Sequence, residues 1–351
     1  MDKKTIIFLG ISLLILAVML WFVGIDEVIN ALKMANLYLI ALGILLQVFT
    51  YYLYTLRWKI LNNVANINTG ILKLLPMVLV GLAVNNITPS GRGGGEPVRA
   101  YILSREENYP MEETFAAVVA DRALDTFPFV ILAIIAIGGA VFYFDFDLWL
   151  IVVMISAVIA IVVILVLIIY MCVNPNFGKR VEGWIVGLSR RFYKKNTPEF
   201  EEKIHNVIKG FQDTMSHVIH NKKVLYYAVP LSFIIWIFEI SRVYVVFLAF
   251  GANISPIIIA EVFIIASLVG MIPLLPGGLG AVDGIMIAFY AVAGITTSVS
   301  AAATVIERLI SFWMATIIGL IILPHYGASA LDKISLSSDS KELPEASDEE
   351  E

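Results

Sequence analysis

The sequence predicts an all-α polytopic membrane protein, with about six full spans and two broken or re-entrant hairpins arranged as an inverted repeat. The composition is 59% hydrophobic and 15% charged, whereas soluble domains are about 45–50% apolar and about 25% charged. Several runs without Asp, Glu, Lys or Arg reach the roughly 20 residues that cross a bilayer core. These runs are residues 5–25, 34–56, 126–144, 148–178 and 284–306. The mean hydropathy of +0.87 agrees and excludes a cytosolic enzyme and a basic nucleic-acid binder.

Apolar segments of two kinds follow one another along the chain. Six are uninterrupted and predict full spans, at about residues 5–24, 36–56, 117–143, 148–172, 225–250 and 300–323. Two others, 72–104 and 257–293, are broken in the middle by Pro and several Gly. Backbone broken at membrane depth needs protein or a water-filled cavity to satisfy its polar groups. We therefore expect these two segments to form re-entrant hairpins.

The distribution of charge predicts the organisation and the orientation of the chain. A first membrane half at 1–144 is followed by a second at 145–328 and by an acidic tail at 329–351, which predicts disorder. Residues 173–224 hold ten of the 24 basic residues, and their helical spacing predicts amphipathic cytoplasmic helices over 175–222. The positive-inside rule then places both termini of this multi-pass cell-membrane protein in the cytoplasm. Arg57, directly after the second span, is expected to belong to that cytoplasmic face.

Two motifs recur in the same order in both halves. The first is Pro-x-Gly-x-Gly-x-x-acid, at residues 89–96 and 276–283. The second is an acid–Arg pair about 25 residues further on, Asp121-Arg122 in one half and Glu307-Arg308 in the other. Because the two halves begin on opposite sides of the membrane, the pattern predicts an inverted repeat, which in transporters places the substrate site near the midplane. An ancestral duplication without transport is the alternative.

Charged residues inside apolar surroundings are the candidates for function. A charge at the centre of a transmembrane helix costs roughly 2.5–3.5 kcal/mol on insertion scales, so such residues should pair and face a polar interior. Glu239 and Arg242, three residues apart, can pair on one helix face. Arginines beside restarting helices suit a phosphate group. The alternative for every pair is a purely structural link between helices. Nothing in the sequence predicts a metal or a cofactor, since His217 and His220 have no third ligand nearby.

At these motifs the chain resembles the lysylphosphatidylglycerol synthase transmembrane (flippase-like) family, over about residues 5–325. The resemblance rests on four boxes in order: Gly-rich 89–99, Asp121–Asp125, 276–283, and Glu307-Arg308 before Trp313. One departure is Asp283, where the family usually has Glu. The family includes the membrane half of multiple peptide resistance factors, which moves aminoacylated phosphatidylglycerol, and the membrane part of some archaeal dolichol-linked glycosyltransferases.

The resemblance and the motifs together imply a lipid-handling protein. We expect a flippase or transporter of a phospholipid or a polyprenyl-phosphate-linked lipid, with an anionic phosphate headgroup as ligand. The alternative is an intramembrane enzyme or an accessory scaffold for a separate synthase or glycosyltransferase. No catalytic residues are predicted. The predicted substrate-binding residues are Glu96, Arg99, Asp121, Arg122, Asp125, Gly278, Asp283, Glu307 and Arg308.

Overall fold

The computed structural model describes residues 30, 32–88, 93–143, 148–192, 198–271 and 278–339. Within these ranges the regular structure is helical and contains no strand. We number the α-helices α1 (Leu37–Val64), α2 (Ile71–Ile87), α3 (Gly95–Glu107), α4 (Met111–Tyr143), α5 (Leu148–Val173), α6 (Pro175–Phe192), α7 (Pro198–His220), α8 (Val229–Ala249), α9 (Pro256–Gly270), α10 (Ala281–Val292), α11 (Thr297–Arg308) and α12 (Met314–Asp339). A π-helical turn, Val224–Ala228, leads into α8, and another, Leu309–Trp313, joins α11 to α12.

Local signals set several helix boundaries. The side chain of Asn36 accepts a hydrogen bond from the backbone N–H of Tyr38 and caps α1. Ser255 does the same for Ile257 at the start of α9, where Pro256 occupies the first helical position. Both arrangements satisfy N–H groups that have no partner inside the helix. At the other end, α3 stops at Asn108, which adopts the left-handed conformation typical of a helix terminus.

Four helical segments of the described chain are long and apolar enough to cross a membrane. They are Leu37–Val64, Leu148–Cys172, Val224–Ala249 and Thr297–Tyr326. These coincide with four of the predicted spans. The predicted span 117–143 lies inside the 33-residue helix α4, and the one at 5–24 lies outside the described residues.

Each broken segment forms two short helices that pack against each other, α2 with α3 and α9 with α10. At 17, 13, 15 and 12 residues, they are shorter than the roughly 20 residues of a full span. Contact in the first pair is close, because a β-carbon at Gly95 would lie 1.9 Å from the carbonyl oxygen of Gly81. The turns with Pro89 and Pro276 lie outside the described residues, so the expected meeting of the two tips stays a prediction.

Contacts between the two halves follow a reciprocal pattern. Helix α1 packs along α8, α4 packs on α9, and α12 packs on α2. The last contact is tight, since a β-carbon at Gly319 would lie 2.3 Å from the carbonyl oxygen of Leu79. Each half thus places its long helix against the first arm of the other half's broken segment, and the central space lies between them.

The segment predicted as amphipathic helices forms α6 and α7, which pack against each other. Helix α7 also rests on α4 and α5 and buries Met215 and Val218. Trp184 on α6 is 68% exposed. At the other end of the chain, α12 continues to Asp339, past residue 329, where the sequence predicts that the acidic tail begins. Residues 340–351 lie outside the described part.

Candidate functional site

A cavity of about 160 Å³ lies in the centre of the helix bundle, between the two halves. Its walls come from α1, α2, α3, α4, α8, α9, α10, α11, the π turn after α11 and the start of α12. Charged side chains line it or stand directly behind its wall. We call them the central charge cluster: Arg57, Glu96, Arg99, Asp121, Arg122, Asp125, Glu239, Arg242, Asp283, Glu307 and Arg308. With five arginines and six carboxylates, the cluster is close to neutral.

A buried ion-pair network in the first half is built around Arg57. Its Nε lies 2.7 Å from Asp121 Oδ1, and its Nη1 lies 3.0 Å from Asp125 Oδ1. The other oxygen of Asp121 accepts a hydrogen bond from Arg99 Nη2 at 2.9 Å. Arg57 also donates to Ser232 on α8 at 3.2 Å, so the network ties the first half to the second. Such pairing removes the cost of an isolated buried charge.

Arg242 has the corresponding place in the second half. Its Nη2 lies 2.7 Å from Glu307 Oε1, and its Nη1 pairs with Glu239, as the spacing of three residues predicts. Gln47 on α1 also accepts a hydrogen bond from Arg242. Arg57 precedes Asp121 by 64 residues and Arg242 precedes Glu307 by 65. In both halves, therefore, an arginine of a long helix holds the acid of the acid–Arg pair.

The arginines of the acid–Arg pairs contact the acids at the starts of α3 and α10. Arg122 Nε lies 3.5 Å from Glu96 Oε1, and Arg308 Nε lies 2.9 Å from Asp283 Oδ1. Arg122 also lies 3.6 Å from Asp125. These distances confirm the expected proximity of each arginine to the acid at the matched hairpin break. Arg308 in addition stacks its guanidinium on Phe312, 4.5 Å from the ring centre.

The hairpin acids lie in the first turns of their helices, where the helix dipole favours negative charge. Asp283 Oδ2 accepts a hydrogen bond from the backbone N–H of Gly280 at 2.8 Å. In the first half, the side chain of Asn85 accepts from the N–H of Gly95 at 2.7 Å and donates to Glu96 at 3.2 Å. Side chains of the protein thus already accept hydrogen bonds from some of the backbone N–H groups at the starts of α3 and α10.

Seven of the nine predicted site residues line the cavity, and two do not. Asp283 contacts Arg308, which lines the cavity, and Gly278 is needed for the conformation of the backbone. Gly278 adopts a positive φ of 67°, and a β-carbon there would lie 3.0 Å from Gly270 Cα. Only glycine tolerates this combination of conformation and close packing.

The burial of Arg57 was not predicted from the sequence, and its side of the membrane stays a prediction. Helix α1 continues to Val64, beyond the predicted span end at residue 56, and carries Arg57 into the bundle with 1% exposure. A single arginine at the end of an apolar run is indistinguishable by composition from a flanking cytoplasmic charge. The signal that could have found it is the matched separation of Arg57 from Asp121 and of Arg242 from Glu307. Asn85 was missed as well, and no spacing marks it.

Exposure differs among the arginines of the central charge cluster. The side chains of Arg57 and Arg242 are 2% and 1% exposed, so they are positioned to hold carboxylates and not to contact a ligand. The side chains of Arg99 and Arg308 are each 9% exposed. The side chain of Arg122 is 35% exposed, and its two ion pairs described above are long. In the described part of the chain, no group of three His, Cys, Asp or Glu side chains is arranged to hold a metal ion.

The fold and the cavity together define a multi-pass α-helical membrane protein with a central cluster of paired charges. The model of the lysylphosphatidylglycerol synthase TM region matches residues 6–319. The chain belongs to this family.

Relatives agree with that assignment. A UPF0104 membrane protein of Methanothermobacter thermautotrophicus is 49% identical over 95% of this chain and 99% of its own length. Another UPF0104 membrane protein, from Methanocaldococcus jannaschii, is 31% identical over 91% of this chain and 94% of its own. The glycosyltransferase AglD of Haloferax volcanii is 24% identical over 99% of this chain, which corresponds to 58% of AglD.

Proposed function

We propose that the protein moves a lipid with a phosphate-bearing headgroup from one leaflet of the membrane to the other. The observation that carries this proposal is the position of Arg122, a partly exposed arginine in a cavity between the two halves of a membrane protein. Charges inside a membrane protein are costly and mark substrate pathways. An arginine offers a planar, bidentate set of donors that matches a phosphate.

In this proposal the phosphate replaces a carboxylate as the partner of Arg122 and Arg308. Glu96 and Asp283 hold these arginines in place while the site is empty, through ion pairs of 3.5 and 2.9 Å. The charge of the cavity is then nearly balanced before the headgroup arrives. When a phosphate binds between the two arginines, they exchange their ion pairs with carboxylates for ion pairs with the phosphate. The free-energy cost of bringing the headgroup into the membrane is therefore low. The acyl chains remain in the bilayer.

Arg57 and Arg242 have a supporting role in the same proposal. Each holds the acid that precedes Arg122 or Arg308 in the sequence, and so fixes the rotation of the helix that carries that arginine. Removing such a support would displace the ligand-contacting arginine without touching the ligand. We therefore regard Arg122 and Arg308 as the ligand contacts, and Arg57 and Arg242 as positioning residues.

The reciprocal packing of the two halves supports an inverted repeat as the moving framework. The contacts of α4 with α9 and of α12 with α2 are equivalent if the halves are exchanged, and the contact of α1 with α8 maps onto itself. In transporters with inverted repeats, relative rocking of the halves alternately opens a central site to each side. The central charge cluster lies at the boundary that would open.

The proposal is tested with purified protein in liposomes of phosphatidylglycerol and phosphatidylcholine that contain a trace of fluorescent phosphatidylglycerol. Quenching from outside measures the fraction that reaches the outer leaflet over time. We expect the wild type to accelerate exchange and Arg122→Gln to reduce the rate at least tenfold. Arg180→Gln, which neutralises an exposed arginine on α6, should retain the wild-type rate. Equal rates for Arg122→Gln and wild type would contradict the assigned site.

Similarity to AglD favours one alternative, a role in lipid-linked glycan synthesis as an intramembrane enzyme or an accessory membrane component. The same liposomes, supplied with a polyprenyl phosphate, distinguish the two. Mass spectrometry of the recovered lipid should show an unchanged compound if the protein only moves it. A covalently altered lipid would favour the enzyme, and an inert protein that binds a glycosyltransferase would favour the accessory role.

A further inference from the structure

A second buried acid lies outside the central charge cluster, on α9. Glu261 is 5% exposed, and its Oε2 has no hydrogen-bond partner among the residues that the structure describes. No arginine or lysine of the described residues forms an ion pair with it. Every acid of the central charge cluster, in contrast, has an arginine within 4.0 Å. Glu261 therefore lacks the compensation that the other buried acids have.

The surroundings of Glu261 are apolar and come from both halves. Its carboxyl group lies against the backbone of α4 at Gly139, where a β-carbon would be 2.0 Å from Oε1. Val262 and Ile265 of α9 and Ala136 and Ile137 of α4 belong to one buried apolar cluster. Glycine at position 139 thus makes room for a carboxyl group at the contact between the two halves.

Among the described residues, the charged groups on the neighbouring helices are remote or already engaged; Asp145 and Asp147, six and eight residues after Gly139, lie outside this part of the chain. Gly139 follows Asp125 by 14 residues and Glu113 by 26, which corresponds to ~21 Å and ~39 Å along α4. On α8, Glu239 and Arg242 pair with each other. The titratable groups on the helices that pack on α9 are Glu112, Glu113, Asp121, Arg122, Asp125 and Tyr143 on α4, Glu239, Arg242 and Tyr244 on α8, Asp283 and Tyr290 on α10, and Tyr170 and Cys172 on α5. Tyr290 donates its hydroxyl proton to the carbonyl oxygen of Ile259 at 3.1 Å.

From these observations we infer that Glu261 is a proton-binding site at the boundary of the two halves, which links lipid movement to a proton gradient. The inference rests on the proposed function. An acid in an apolar contact without a cation holds its proton, because the ionised form is strongly disfavoured there. If the halves separate at α4 and α9, water reaches the carboxyl group and the proton leaves to that side. Closing the contact again requires the carboxylate to take up a proton.

Glu261→Gln keeps the shape and removes the titration, and Glu202→Gln, at an exposed acid on α7, is the matched control. Both are reconstituted with fluorescent phosphatidylglycerol, with equal pH on the two sides or with a gradient of two pH units. We expect the gradient to change the exchange rate of the wild type and of Glu202→Gln at least fivefold. Glu261→Gln should exchange lipid at equal pH and ignore the gradient.

The outcomes separate this inference from the proposed function. A wild type that moves no lipid under any condition contradicts the proposed function. A wild type that moves lipid but ignores the gradient overturns the role of Glu261, as does a gradient response that survives in Glu261→Gln.

Chemical modification of the native chain tests the protonation directly and requires no variant to fold. Dicyclohexylcarbodiimide partitions into the bilayer and reacts with protonated carboxyl groups. We expect peptide mass spectrometry to find the adduct on Glu261 at pH 7 and to find less of it as the pH rises. Absence of the adduct at pH 6, under conditions where a control membrane acid is modified, overturns the inference.

Discussion

The positioning arginines and the arginines proposed to contact the ligand make different predictions at the scale of single residues. Arg57 contacts two carboxylates at 2.7 and 3.0 Å inside the bundle, and removing one partner of such a network leaves uncompensated charge. We expect Arg57→Ala to destabilise the folded protein by about 3–5 kcal/mol. Thermal unfolding in detergent, followed by size-exclusion chromatography, measures the loss. Arg180→Ala is the control and should unfold like the wild type.

Arg308 should behave differently, because it is placed to contact the ligand. We expect Arg308→Ala to insert and fold but to lose lipid exchange at least tenfold. Arg308→Lys should restore little, since a point charge does not reproduce bidentate contact with a phosphate. A purely structural role predicts another result: low protein level in Arg308→Ala, recovered when Asp283 is changed to Asn as well. Protein level and exchange rate in the single and double variants decide between the two.

Residue patterns predicted most of the site because the cost of buried charge forces acids and arginines to meet. The pairs of Arg122 with Glu96 and of Arg308 with Asp283 follow from matched spacing alone. Asn85 could not be found this way, because a capping amide depends on how two helices face each other. The burial of Arg57 was missed for a related reason: the length of α1 beyond its apolar run is set by packing, which hydropathy does not measure.

At the scale of elements, the first hairpin depends on direct backbone contact between α2 and α3. Gly95→Ala would place a β-carbon 1.9 Å from the Gly81 carbonyl oxygen. We expect a destabilisation of about 1–3 kcal/mol, typical of overpacking, together with a lower exchange rate, because Glu96 would shift with the start of α3. Gly70→Ala is the matched control, since a β-carbon there meets nothing within 4 Å. Unfolding midpoints and exchange rates of both variants provide the measurement; an undisturbed Gly95→Ala would contradict the packing.

The Pro and Gly residues that interrupt segments 72–104 and 257–293 were sufficient to predict that each segment forms two short helices that pack together. They could not predict which helix of the other half each arm contacts. That choice depends on complementary surfaces such as Gly319 against the backbone of Leu79, and a glycine in an apolar run does not identify its partner.

At the scale of the whole molecule, the orientation in the membrane remains a prediction that labelling can test. Lys179 on α6 and Asn253, between α8 and α9, are both exposed and are predicted to lie on opposite sides. A membrane-impermeant maleimide added to intact cells should label Asn253→Cys but not Lys179→Cys until the cells are opened. The native Cys172 is buried and serves as the background. Labelling of Lys179→Cys in intact cells would reverse the orientation.

Hydropathy and charge were sufficient for the membrane class because the bilayer imposes long apolar helices on any sequence that crosses it. Hydropathy and charge alone do not predict the inverted-repeat relation between the halves, since that prediction depends on two motifs and their order. The packing of α4 on α9 and of α12 on α2 agrees with that relation, but neither contact can be read from composition.

The π-helical turn Leu309–Trp313, directly after Arg308, has a consequence for how the last span can change. A π turn holds one residue more than an α turn. Deleting one residue within it, for example Ser311, would let α11 and α12 join as a regular helix. Because the π turn accommodates its extra residue within about one turn of helix, the residues on either side would keep nearly the same relative rotation after the deletion. Glu307 and Arg308 would therefore still face the cavity while α12 kept its contact with α2. The extra residue is therefore accommodated without changing the phase of the last span, and its effect is confined to the turn that directly follows Arg308.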